Sequence, residues 1–350
     1  METEVNLAKI WTFGLTAVVS TLGGYLFSLA HIPLAWMIGA MVASAMLSWV
    51  RPAALPSRTR PVALMVLGAS FGLGFTQPVL MAVLAALPAV ILAGVLIIVS
   101  GLLMARVFAT FAGIDSKTGY FCAVPGGVTV MPVLAERSGL PVAPVTLAQT
   151  IRMVVVVLTF PPLMVLFGQP GNQTIFHAEK LAVHVPQLLM LLAASLAAAL
   201  VLHRLRIANP WMLGPLFFSM AITALWHAPS GVPHWMINVA QVGMGSTLGV
   251  KLTRPFLMSS TRLVYASLAS TLLLSALLST LAIALAFLWA LPPEAVILGM
   301  APGGTPEMVV TAATLDVAVP LVLGFHLIRM LISNLLIEPL WTISERLRVN

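Results

Sequence analysis

The chain has 350 residues, 60% of them hydrophobic and 8% charged, with a mean hydropathy of +1.06, whereas an ordinary soluble domain carries roughly 25% charged residues. This composition excludes a soluble globular enzyme and indicates a polytopic membrane protein. The formal charge of +7 does not indicate nucleic acid, because the longest polar segment is about a dozen residues, too short for a basic recognition module.

Apolar runs approaching the roughly 20 residues that cross a bilayer cover 10–28, 32–49, 62–76, 86–110 and 142–168 in the first half. The second half answers with 182–203, 209–226, 235–250, 263–290 and 317–342. The acidic start Met1-Glu2-Thr3-Glu4, with no small-residue cleavage site after the first run, argues that the first helix is retained. Segments 119–137 and 296–314 are too interrupted to be ordinary spans, and the sequence predicts a re-entrant or broken helix at each. The lone cysteine, Cys122, excludes an intrachain disulfide and fits a small buried hydrophobe.

The two interrupted segments share a pattern. Pro125-Gly126-Gly127 precedes Arg152 and Met153, and Pro302-Gly303-Gly304 precedes Arg329 and Met330, both with a spacing of 27 (152 − 125 and 329 − 302). Between Pro125 and Met153, 11 of 29 positions match at a shift of 177, Met131 with Met308 among them. Upstream, Trp36-Met37-Ile38-Gly39 recurs as Trp211-Met212-Leu213-Gly214, and Leu73-Gly74 as Leu248-Gly249, both at a shift of 175, so a two-residue insertion reconciles the shifts. The chain is therefore a tandem duplication of membrane repeats, 1–173 and 174–350, which together form one membrane domain.

Cytoplasmic loops carry the excess of Lys and Arg. With the N-terminus inside, five spans per repeat and each Pro-Gly-Gly segment entering and leaving on one face, the inside loops hold Arg51, Arg58 and Arg60; Arg106, Lys117 and Arg137; Arg204 and Arg206; Lys251, Arg254 and Arg262; and Arg346 and Arg348. The outside loops near 30, 80, 230 and 292 hold none, and the 169–181 linker holds only Lys180 against Glu179. Six spans per repeat would move five of these cations outside, so five is preferred. An odd number inserts the second repeat upside down, giving an inverted-repeat, all-α fold with about five transmembrane helices and one Pro-Gly-Gly segment per repeat. In secondary transporters, a matched pair of Gly/Pro-interrupted segments marks the binding site.

Arg152 and Arg329 fall 10 and 12 residues into their predicted helices, about 15 and 18 Å at 1.5 Å per residue, near the middle of the hydrocarbon. A guanidinium there needs a water-filled cavity, an acid or exposed carbonyls beside it. Two readings follow. In one, each Arg holds carbonyls freed by the helix break. In the other, the arginines and the helix N-termini after the breaks accept an anion, with Pro125, Gly126, Gly127, Gln149, Arg152, Pro302, Gly303, Gly304, His326 and Arg329 lining the solute site. The repeats differ where Gln149 is matched by His326 and Val130 by Glu307. Glu307 and His326 are accordingly the candidates for proton coupling, with neutralisation of Arg329 the alternative role for Glu307. Asp316, Glu136 and Arg137 sit at segment ends, where solvated or capping roles are the default. His31, His177, His184, His227 and His234 map to one face but form no ligand pair, so no metal site and no cofactor are expected.

These residues resemble the AbrB-like integral membrane proteins, built from two copies of a hydrophobic duplication domain, each with a Pro-Gly-Gly motif and a later Arg. The likeness covers nearly the whole chain and is closest from Ala301-Pro302-Gly303-Gly304 through Arg329 and around Leu213-Gly214-Pro215. It implies a multi-pass protein of the bacterial cytoplasmic (inner) membrane, both termini cytoplasmic, in contact with the lipid bilayer and open to homo-oligomer formation. Members are labelled as regulators of aidB expression or as ammonia monooxygenases, and the name is shared with an unrelated soluble DNA-binding protein. A monooxygenase needs clustered His or carboxylate ligands, which the motif lacks, so no enzyme activity is expected and any effect on gene expression is indirect. The residues favour a transporter for a small, anionic solute; a membrane sensor or scaffold with a regulatory role is the alternative, and a membrane monooxygenase, as the family label suggests, stands behind both.

Overall fold

The computed structural model describes residues 2–127, 130–167, 181–207 and 209–349; His177, Glu179 and Lys180 of the expected linker fall outside them. Among the described residues every regular element is an α-helix. The first half forms α1 (Glu2–Leu29), α2 (Ala35–Val50), α3 (Thr59–Gly72), α4 (Gln77–Ala85), α5 (Leu87–Ala112), α6 (Ser116–Ala123), α7 (Val130–Arg137) and α8 (Val142–Phe167). The second forms α9 (Val185–Arg204), α10 (Pro210–Leu225), α11 (His234–Gly249), α12 (Arg254–Met258), α13 (Thr261–Trp289), α14 (Pro293–Met300), α15 (Thr305–Thr314) and α16 (Val319–Val349).

Among the described residues, five stretches are long and apolar enough to cross a membrane: Lys9–Leu29 in α1, α5, Val142–Leu166 in α8, α9 and α13. α2, α10 and Val319–Ser333 of α16 are apolar but shorter. The run expected at 62–76 is not one straight span, because α3 stops at Gly72 and meets α4 at 93°. In a continuous helix the ring of Pro78 would clash with the carbonyl four residues back, at Gly74, and the chain turns instead. Both Pro-Gly-Gly segments are helix–break–helix pairs, α6–α7 and α14–α15.

The chain folds as two compact units, and each draws on both halves of the sequence. The first unit takes residues 1–81 and 177–256. Within it α1 packs on α2, α9 on α10, α2 on α11, α10 on α3, and α3 on α11. Lipid tails are as apolar as the side chains, so helices here associate by close backbone approach at small residues. Gly245 and Gly249 of α11 lie on the backbone of Met37 and Met41, while Gly68 and Gly72 of α3 lie on that of Met212 and Leu216. A Cβ at any of the four would strike a carbonyl oxygen.

The second unit takes residues 82–176 and 257–350. α5 packs on α13, α13 also on α8, and α5 also on α16. The α6–α7 pair lies against α8 and the α14–α15 pair against α16. Asp115 caps α6 by accepting from the Thr118 N–H at 2.8 Å. Arg262 closes the other end of α5, donating to the Phe111 carbonyl at 2.8 Å beside Gly113, whose φ of 69° ends the helix.

Left-handed backbone recurs through the chain at fixed intervals. His31 and Leu34 both have φ of 54°, and their counterparts 175 residues on, Arg206 and Asn209, have 56° and 57°. Gly113 at 69° and Gly139 at 72° are answered 177 residues on by Ala290 at 49° and Asp316 at 54°. Positive φ is uncommon outside glycine, so these coincidences carry more weight than residue identity. The matched glycine contacts place the change of shift before α3, since Gly68 stands on Met212 as Gly245 stands on Met37. The sequence match of Leu73-Gly74 with Leu248-Gly249 is thereby superseded: packing pairs Gly72 with Gly249.

Gly245→Leu should drive α11 from α2, because overpacking a tight contact costs about 1–3 kcal/mol. The expected result is a lower melting temperature for the purified protein in detergent, while Leu at Gly14, where an added Cβ meets nothing within 4 Å, should leave it unchanged.

Candidate functional site

The first break runs Val124-Pro125-Gly126-Gly127. Proline cannot continue α6, and Gly127 takes a φ of 95° that few other residues adopt. The break frees carbonyls at the end of α6, and the next long helix satisfies them. Gln149 of α8 points its Nε2 at the carbonyls of Phe121 (2.9 Å), Val124 (3.1 Å) and Cys122 (3.3 Å). Arg152, one turn on, donates from Nη1 to the Val124 carbonyl at 3.0 Å. That oxygen also receives the Gly126 N–H at 2.9 Å. Gln149 is fully buried and Arg152 is 5% exposed.

The second break, Ala301-Pro302-Gly303-Gly304, is built on the same register. His326 of α16 meets the Leu298 carbonyl through Nε2 at 3.0 Å, in the place of Gln149 on Phe121. Arg329 donates from Nη1 to the Ala301 carbonyl at 2.7 Å and from Nη2 to the Gly303 carbonyl at 2.8 Å. A carbonyl only accepts, so His326 carries its proton on Nε2 and leaves Nδ1 as a bare acceptor. Nδ1 is buried with no hydrogen-bond partner among the described residues. Glu307, fully buried, is the third residue of α15, from which a glutamate side chain reaches back to the helix N-cap. Its carboxylate lies over the N-cap Gly304, where a Cβ would collide with it, and its charge acts favourably on Arg329.

All the residues expected from sequence thus gather in the second unit, in two half-sites. Each half-site pairs a break with a polar side chain and an arginine one turn apart. The half-sites are close enough for Arg152 and Arg329 to feel each other's charge. Met153 Cε reaches within 3.3 Å of a Cβ position on Gly304, and Val156 Cγ1 within 2.9 Å of one on Gly303. The sequence reading named carbonyls freed by the breaks as partners of the arginines without saying which; they are those of Val124 for Arg152 and of Ala301 and Gly303 for Arg329, while Gln149 also takes Phe121 and Cys122 and His326 takes Leu298. One feature escaped that reading. Gly101 of α5 lets the first break approach, for an added Cβ would stand 3.0 Å from Pro125 Cδ. The first unit has cavities of its own, about 440 Å³ beside Arg58 and Trp235 and about 380 Å³ beside Gln77 and His227; neither is lined by an expected site residue.

The half-sites should respond unequally to loss of the arginine. Arg329→Gln leaves two buried carbonyls short of a donor, at about 1–3 kcal/mol for each unsatisfied group. Arg152→Gln removes one of three donors to a single oxygen and should cost far less. Thermal melts of the two purified variants check the order, and an equal or reversed order contradicts it.

The family described as "Transition state regulatory protein AbrB" matches residues 36–344. "Uncharacterized protein YhjN" of Bacillus subtilis (strain 168) is 26% identical over 373 residues, covering 99% of this chain and 96% of the relative. "Putative regulator AbrB" of Escherichia coli (strain K12) is 31% identical over 151 residues, 42% of this chain and 43% of that protein. A match over that much of the chain settles the family: this helical, membrane-type protein belongs to the AbrB family.

Proposed function

We propose that the chain is a secondary transporter for a small, anionic solute in the bacterial cytoplasmic (inner) membrane. It is not an enzyme on this reading, has no cofactor or nucleic-acid partner, and acts on gene expression only indirectly. The observation that carries the reading is the pair of arginines, each almost fully buried in one unit and each at a Pro-Gly-Gly break. Broken helices at matched positions of two repeats are the usual site of solute binding in inverted-repeat transporters. The recurring left-handed residues and the exchanged packing partners of α5 and α13 support two repeats of like fold. The positive-inside count supports their opposite orientation, five spans and one broken segment to each, with both termini cytoplasmic.

Glu307 and His326 are the proton-coupling candidates. The bare Nδ1 of His326 is a place for a proton, Arg329 is the charged group that acts on the ring, and Glu307 and Arg152 act in turn on Arg329. A second reading, a membrane sensor or scaffold, is favoured by the complete engagement of the Arg329 terminal nitrogens with backbone carbonyls.

Uptake of radiolabelled small carboxylates into proteoliposomes tests the transporter. Saturable uptake that requires the protein is expected; a folded protein that moves none of a broad panel favours the scaffold. Orientation is tested separately in a Cys122→Ala background. His31→Cys should react with an impermeant thiol reagent from outside the cell and Arg206→Cys only from inside, and labelling of both from one side contradicts inversion.

A further inference from the structure

The two arginines, equivalent in sequence, are not equivalent in what they have left to bind. Arg329 spends both terminal nitrogens on carbonyls, and Glu307 offsets its charge. Arg152 makes one hydrogen bond, from Nη1 to the Val124 carbonyl, an oxygen that Gln149 and Gly126 already serve. Its Nε is buried with no hydrogen-bond partner among the described residues, and its hydrogen bond to Val124 leaves from Nη1. Where Glu307 stands in the second half-site, the first has Val130. The Met131 N–H meets the Gly127 carbonyl as the Met308 N–H meets that of Gly304, so the two positions correspond in space as well as in sequence.

An uncompensated guanidinium at 5% exposure in an apolar unit calls for an anion, since buried charges are kept only when paired. The shape of the open edge says which kind. Nε and Nη2 form the side-on fork of the guanidinium, whose two parallel N–H groups match the two oxygens of a carboxylate. A spherical anion uses that fork poorly. The orientation of Gln149 is fixed by the three carbonyls around its Nε2, and its Oε1 is buried with no hydrogen-bond partner among the described residues.

We infer that Arg152 is the anion-binding arginine, taking one carboxylate group of the solute on its Nε–Nη2 edge, while Arg329 with Glu307 is the structural lock of the second break. This rests on the reading of the breaks as a solute site and divides that site between its two halves. The two breaks differ in backbone as well: among the described residues, one left-handed residue lacks a counterpart. Gly127 has a φ of 95°, whereas Gly304, pinned under the Glu307 carboxylate, has −76°.

The test is ligand-dependent thermal stability of the full-length protein in detergent, titrated with acetate, lactate or succinate against chloride at equal ionic strength. The wild type should melt later as one or more of the carboxylates is raised and should not respond to chloride. Arg152→Lys keeps the charge but not the fork and should weaken the half-saturating concentration by about tenfold or more. Val130→Glu supplies a tethered carboxylate to Arg152, so it should raise the melting temperature without ligand and abolish the response. If Val130→Glu does not accumulate, Arg152→Lys decides alone. Absence of any carboxylate response in the wild type, or an undiminished response in Arg152→Lys, overturns the inference. Carboxylate binding that depends on Arg152 without uptake into proteoliposomes keeps the inference and removes the transporter.

Discussion

A helix that breaks within hydrocarbon leaves carbonyls that no water can reach, and each such group costs free energy until something donates to it. The second unit is arranged around that constraint. Its two Pro-Gly-Gly breaks free carbonyls at Phe121, Val124, Leu298, Ala301 and Gly303, and all are served by side chains from the next long helix. Arg262 does the same for the end of α5. Arginine suits this task because its planar fork holds several N–H groups at fixed angles and stays charged. Every donor placed in this way fixes the distance between a break and the helix that follows it. The spacing of 27 residues between proline and arginine in both repeats is the sequence record of that geometry.

The same solution carries a liability that the repeats resolve differently. Two guanidinium groups within reach of each other's charge repel, and burial strengthens the repulsion. Glu307 relieves the second break from a position where its carboxylate also lies over the start of α15, where a negative charge is favoured by the helix dipole. The first break has no such acid at the matching position, Val130. The two breaks therefore share one arrangement, and the exchanges of Gln149 for His326 and Val130 for Glu307 make them chemically distinct.

Much of this was legible in the sequence because the features were matters of residue type and spacing. Hydrophobic runs gave seven of the helices within three residues at both ends, α13 and α8 among them, but began late in α1 and stopped short in α16, and the repeated Pro-Gly-Gly and Arg placed both half-sites. Three things were not legible. The bend between α3 and α4 depends on one proline whose effect hydropathy cannot register. The proline breaks announce freed carbonyls, but which side chain serves which carbonyl depends on how α6 packs on α8 and α14 on α16. The assembly of each compact unit from both halves of the chain is a tertiary fact that a division into 1–173 and 174–350 does not contain.

The register of the duplication shows how structure corrects a plausible sequence match. A Leu-Gly dipeptide recurs by chance in so leucine-rich a chain, and it gave a shift of 175 for α3 and α11. The glycines that matter are those whose missing Cβ lets a helix sit on a neighbour's backbone, and they give 177. A residue selected for a contact is constrained by its partner: Gly68 and Gly72 must face Met212 and Leu216, as Gly245 and Gly249 face Met37 and Met41. Because each contact joins a helix of one repeat to a helix of the other, neither repeat can drift in register without losing its fit to its twin. The centre of the second unit escapes that coupling. Gln149 and His326, or Val130 and Glu307, each serve their own break, so these positions can diverge while the frame around them stays matched.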